Sequence, residues 1–105
     1  MKFIELIKVL KNKQALNKYL NENYPEIDYY DAEVYLENKI DIDSDFKIFD
    51  FNKIDGKIEM IQENKKYINL FTLDLLVDIF EDFKKKYSSI HDVAKRIIEY
   101  RINDA

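Results

Sequence analysis

Few residues in this chain could do chemistry. His91 is its one histidine, and imidazole is the usual acid or base near neutral pH. It stands beside Asp92 in what the spacing reads as the first turn of the last helix. No serine, lysine or tyrosine is tied to it by a spacing rule, and Ser88 and Ser89 read as helix caps. The run Asp41-Ile42-Asp43-Ser44-Asp45 opens like a calcium loop, in which alternating carboxylates wrap one hard cation. The rest of such a loop is missing, since Phe46 stands where the sharp turn needs glycine and Asn52 where the bidentate glutamate belongs. Carboxylate pairs of the glycosidase kind could be drawn from the 21 acids, but so many acids in 105 residues pair by chance. One glycine, Gly56, leaves no phosphate-cradling loop. The absence of cysteine removes thiolate metal sites, cysteine nucleophiles and disulfides. The chain therefore reads as non-enzymatic, with no catalytic residue, metal or cofactor expected.

What remains is charge and its distribution. The formal net charge of −4 conceals a strong asymmetry. Residues 1–21 carry a balance of +4, residues 22–59 a balance of −8, and residues 60–105 none. Lys8, Lys11, Lys13 and Lys18 on the first helix and Lys84 to Lys86 further on are cationic clusters. The acidic total nevertheless argues against direct nucleic-acid binding, because phosphate neutralisation supplies most of a binder's affinity. The acidic middle is also rich in tyrosine: four of the eight fall between Tyr24 and Tyr35. Tyrosine offers large contact area, a polar tip and few rotamers, and so favours binding faces. A concentrated negative field speeds encounter with a basic partner. The candidate partner-binding residues are accordingly Asp28, Tyr29, Asp31, Glu33, Tyr35, Glu37, Asp41, Asp43 and Asp45, with Tyr29 and Tyr35 as anchors.

The elements that must position these residues follow from apolar spacing. Phe3, Leu6, Ile7 and Leu10, then Leu16, Tyr19 and Leu20, read as one helix over about 2–21. A break at Lys11-Asn12-Lys13, with Asn12 capping a new turn, is the alternative. Pro25 suits a helix first turn, and Ile27, Tyr30 and Val34 then continue at helical spacing to about Asn38, which places Tyr30 on an apolar stripe. Val34-Tyr35-Leu36 would also suit a strand. From Asp45 the period becomes two. Asp55-Gly56 supplies the positive φ of a hairpin turn, placing Phe51 opposite Met60. Asn64-Lys65 is the next turn and sets Ile61 opposite Ile68. The expectation is a three-strand meander over about 45–54, 57–63 and 66–71. Ile48, Ile61, Ile68 and Leu70 lie on one face, and Phe49, Phe51, Met60 and Phe71 on the other. Thr72 caps a helix whose apolar face runs Leu73, Leu76, Val77, Phe80, Phe83 and Tyr87, widened by Leu75 and Ile79. Ser89 caps a last helix with Ile90, Val93, Ala94, Ile97, Ile98 and Arg101 on one side. Helices, strands, then helices imply an α+β fold with an antiparallel sheet.

Length and composition fit one domain, residues 1–105. Glu5 and Lys8 interrupt the N-terminal apolar run, so no secretory signal is expected, and no stretch reaches the length of a membrane span. A cytoplasmic protein is expected. The 15 lysines against two arginines suggest an AT-rich genome of bacterial or phage type.

A small acidic chain with carboxylates beside aromatics has the attributes of a stoichiometric inhibitor of a cationic protein. In type it resembles the bacterial immunity proteins that neutralise toxin nucleases, and Asp28-Tyr29-Tyr30 is similar to the Asp-and-Tyr-Tyr hot spot of the nuclease-colicin immunity proteins. Those proteins are all-helical, and the strand pattern here departs from them, so no family is assigned. The expected function is a protein-binding inhibitor, with a basic toxin nuclease domain as partner. Two alternatives are a phage or plasmid DNA mimic, which would spread its acids along an elongated face, and a structural or homodimerising module using one sheet face.

Overall fold

The computed structural model describes residues 1–55 and 57–103 and has an α+β architecture. Helix α1 (Phe3–Leu10) begins where the Lys2 backbone N–H donates to the Glu5 carboxylate at 3.0 Å. Its Phe3, Leu6, Ile7 and Leu10 are buried. The chain then breaks. Asn12 is extended, and its side-chain oxygen accepts from the N–H groups of Gln14 (2.8 Å) and Ala15 (3.3 Å), opening α2 (Lys13–Asn23). A side chain that satisfies two orphan donors outweighs continuation of a stripe already out of phase between Leu10 and Leu16. The single helix over 2–21 is thus two.

The helix expected from Pro25 to Asn38 does not form. After one 3-10 turn at Tyr29–Asp31, residues Ala32–Glu37 form strand β1, the alternative that Val34-Tyr35-Leu36 had suggested. Strand β2 (Phe46–Asp50) ends early because the Asp50 carboxylate accepts from the Asn52 N–H at 2.9 Å and starts α3 (Phe51–Ile54). Asp55 does adopt a positive φ of 52°, but as the cap of α3 and not in a hairpin. Gly56, the other half of that expected turn, lies outside the described residues. Phe51 therefore leaves the sheet and does not face Met60.

Strands β3 (Glu59–Gln62) and β4 (Lys65–Thr72) form the true hairpin. Its two turn residues are Glu63 and Asn64, with φ of 53° and 65°, the left-handed pair of a type I′ turn. Ile61 consequently faces Lys66 and not Ile68. The sheet has four strands among the described residues, in the order β2-β1-β4-β3 with antiparallel pairing throughout, and is not a three-strand meander. The missing strand was β1, which takes the centre beside β4.

One face of this sheet carries the main core. Ala32, Val34 and Leu36 of β1, Phe46 and Ile48 of β2, and Leu70 and Phe71 of β4 pack with α1, α4 (Leu73–Lys84) and α5 (Ile90–Asn103). Phe71 joins this side although alternation assigned it to the other. A bulge between Val34 and Tyr35 places Phe71 opposite Val34 and Asn69 opposite Tyr35, so Leu70 becomes the extra residue. Arg101, at the end of α5, reaches that bulge. Its Nε donates to the carbonyls of Asn69 and Leu70, both at 3.2 Å, and its Nη2 to Asn69 at 2.9 Å.

The other face curls over a second, smaller core of Tyr35, Phe49, Ile54 and Tyr67, with Met60 against it. The curl is strong enough for Lys47 on β2 to donate to the Gln62 side chain on β3 at 3.2 Å, joining the two outermost strands. The Lys47 ammonium also lies over the rings of Phe49 and Tyr67, where a cation meets the negative π face. The segment after α3 lies against this concave side, its Lys57 carbonyl accepting from the Tyr35 hydroxyl. Both C-terminal helices have the expected caps: Thr72 accepts from Leu75 at 3.2 Å and Ser89 from Asp92 at 3.0 Å. Leu75 and Tyr87, both assigned to the buried side of α4, are exposed. No helix among the described residues is long and apolar enough to cross a membrane.

Candidate functional site

The candidate binding residues fall into three groups. Asp28, Tyr29 and Asp31 stay together at the start of β1. Asp28 caps the 3-10 turn by accepting from the Tyr30 N–H at 3.0 Å, which fixes the direction of both tyrosines. Tyr29 leans half-buried against α4, and Tyr30 projects outward at 76% exposure. Their rings meet edge to face, with centroids 5.1 Å apart. Tyr30 was expected on an apolar stripe; because the helix through it never forms, it becomes the most exposed of the large apolar side chains near this turn.

The second group is withdrawn from solvent. Tyr35, expected to be an anchor, is 0% exposed and belongs to the smaller core. Glu33 is 7% exposed, with one carboxylate oxygen accepting from Asn69 at 3.4 Å and the other without a partner among the described residues. Burial pushes the Glu33 carboxyl above its ordinary 4.5, partly opposed by that bond. Neither residue can touch a partner in this fold. Alternation along β1 is the cause, because odd-numbered positions face the concave side. Glu37 shares that side and is half-exposed at the far end of the strand.

Asp41, Asp43 and Asp45 form the third group, in the β1–β2 loop. A six-residue strand spans about 20 Å, so this loop lies well away from the tyrosine pair. These acids also have local company. Asp41 pairs with Lys39 at 3.3 Å, Asp45 with the N-terminal ammonium at 4.0 Å, and the Asp43 carbonyl accepts from the Lys2 ammonium at 3.0 Å. Slight burial would raise the Asp41 carboxyl, but the Lys39 ammonium and the N–H groups of Asp43 and Ile42 outweigh it and hold it below its ordinary value. The nine candidates are therefore not one surface.

Helix α4 supplies what the loop does not. A groove of about 460 Å³ runs between the α1–α2 corner, the tyrosine turn and α4. Leu10, Leu16 and Val77 give it an apolar floor. Tyr29, Tyr30, Asp74 and Glu81 line it, as do Lys11 and Lys13. Burial first, then the charges of Asp74 and Asp78, raise the Tyr29 phenol above its ordinary 10.0. Asp74 lines the same groove as the Tyr29 ring. Asp74, Asp78 and Glu81 stand at helical spacings of four and three, which puts them on one side of α4. That i, i+4, i+7 set of carboxylates was legible in the sequence, but nothing local said that its Asp74 and Glu81 would share a groove with Tyr29 and Tyr30. His91 lies exposed in the first turn of α5. Among the described residues no group of three or more histidines or carboxylates could hold a metal ion. No protein-family model, curated protein or solved structure matches this chain.

Proposed function

We propose that the chain is a non-enzymatic, protein-binding inhibitor of the immunity type, acting in a bacterial cytoplasm on a cationic, nuclease-like toxin domain. One observation carries this reading: the exposed Tyr30 and half-buried Tyr29, flanked in the chain by Asp28 and Asp31, line one groove with Asp74 and Glu81 of α4. A basic segment of the partner lies over Tyr30, whose ring supplies desolvated contact area while the acids pair with its cations. Steering by the acids speeds the encounter. Lys11 and Lys13, which also line the groove, repel cations and so guide the partner's charges toward Asp74 and Glu81.

The DNA-mimic alternative needs outward acids along an elongated face. The Asp41 and Asp45 pairings remove much of that field from the far end of β1.

The test is capture of a partner by the tagged full chain from its native host. The expected result is a basic protein held by the natural chain, lost at about 0.5 M salt, where screening reaches within several ångströms. Tyr30→Ala and the pair Asp74→Asn, Asp78→Asn should release it as well. Capture of a protein indifferent both to salt and to these changes would overturn the reading. The gene immediately upstream is a second check, since a toxin with a variable C-terminal domain encoded there would be the partner to try first.

A further inference from the structure

The two edges of the sheet are treated differently. On β2 the odd-numbered residues bond to β1, so Phe46 and Ile48 turn their backbone groups outward. Both N–H groups find partners there: Phe46 donates to the Met1 carbonyl at 3.1 Å and Ile48 to the Tyr24 hydroxyl at 3.4 Å. A bridge between Lys2 and Asp45 closes the same edge.

Among the described residues the β3 edge is open. Asn69 donates to the Ile58 carbonyl at 2.8 Å, and the register continues through Met60 with Tyr67 and Gln62 with Lys65. Even-numbered residues thus exchange bonds with β4, while Glu59 and Ile61 direct their N–H and C=O groups away from the sheet. Ile61 is 78% exposed and Ile58 is 69% exposed. Edge strands are usually blunted by charge, proline or a bulge. The one charge on β3, Glu59, is matched by Lys66 at 3.5 Å.

We infer that β3 is a self-association edge, on which two copies of this chain pair antiparallel about a two-fold axis through Met60, extending the sheet from four strands to eight. Charge selects the register. An axis through Glu59 would set two glutamates face to face. An axis through Ile61 would set Glu59 against Glu63 and Lys57 against Lys65. An axis through Met60 sets Glu59 opposite Ile61, twice, and brings Lys57, just before the strand, to the same end as Glu63 in the turn of the second copy. Glu59 and Ile61 are the two residues whose backbone groups point outward, so each pair can exchange two hydrogen bonds. The Ile61 side chains then approach diagonally across the axis, and the Met60 side chains meet on the concave face. Four residues of edge make a small interface, so the expected dissociation constant is on the order of 10–100 μM. This surface is separate from the tyrosine groove and does not depend on its role.

Sedimentation of the full chain between about 5 and about 500 μM tests the inference across the expected range. A concentration-dependent monomer–dimer equilibrium is expected. Lys57→Glu should weaken it about tenfold, because two attractive pairs become repulsive, and Lys57→Glu with Glu63→Lys should restore it. Ile61→Lys should leave a monomer. Circular dichroism of each variant checks that the fold persists; the Lys57 side chain is exposed, and only its carbonyl contacts Tyr35. A monomer at every concentration, or a dimer insensitive to Ile61→Lys and to the charge reversals, would overturn the inference.

Discussion

Tyr29 and Tyr30 are neighbours in sequence, perpendicular in space at 87°, and opposite in environment. The Asp28 cap turns the first ring against α4 and the second out to solvent. Truncating them should therefore have unequal effects. Tyr29→Ala is expected to cost roughly 2 kcal/mol of stability through lost packing, and Tyr30→Ala less than about 0.5 kcal/mol. Urea denaturation of the two variants reads the difference. Equal losses would mean that both rings are structural and that Tyr30 is not free to anchor a partner.

The same cap bears on how the acids can be probed. Asparagine caps as well as aspartate, so Asp28→Asn with Asp31→Asn should leave the thermal midpoint nearly unchanged while slowing association with a cationic protein. A large drop in the midpoint would show that these carboxylates serve the fold and not the surface.

Glu33 makes a pH prediction whose sign is fixed by its burial. Its folded-state value lies above the ordinary 4.5, so between the two values the folded chain holds more protons than the unfolded one. Its contribution to stability is complete below about pH 4.5 and is lost as pH rises through the folded value. Glu33→Gln removes the buried charge. It should raise stability at pH 7 and flatten the decline with pH above 4.5. Denaturant midpoints measured from pH 4 to pH 8 check this, and a variant less stable at pH 7 would show the carboxylate to be satisfied.

Arg101 holds the β4 bulge by a fork that lysine lacks. Its two donating nitrogens serve the carbonyls of Asn69 and Leu70, groups that an interrupted ladder leaves in need of donors. Arg101→Met is expected to lose roughly 2 kcal/mol and Arg101→Lys about 1 kcal/mol. Amide exchange at Asn69 to Phe71 should quicken in both. Unchanged exchange in the lysine variant would assign the bulge to β-strand packing alone.

Local chemistry and local spacing determined the parts of this protein whose causes lie within a few residues. Thr72 and Ser89 start their helices because the donors they satisfy are three residues away, and Leu73 to Phe80 or Val93 to Ile98 need only a 3.6 period to define a buried side. Asn12 also carried its cap in plain view, though a stripe running from Phe3 to Leu20 competed with it. The α+β class followed from the order of such segments. Tertiary structure decided whatever depended on a distant partner. Tyr30 and Val34 stand at helical spacing, yet residues 32–37 become a central strand because β2 and β4 both offer ladders to them, and no periodicity within the segment reports those neighbours. The bulge opposite Tyr35 moved Phe71 from one face to the other through a single extra residue. The same strand assignment sends Tyr35 and Glu33 inward, frees Tyr30, and brings Asp74 and Glu81 into one groove with Tyr29 and Tyr30. Sequence distance hides that meeting, because a surface is composed of whichever faces the packed elements leave outward, and packing is a property of the whole chain.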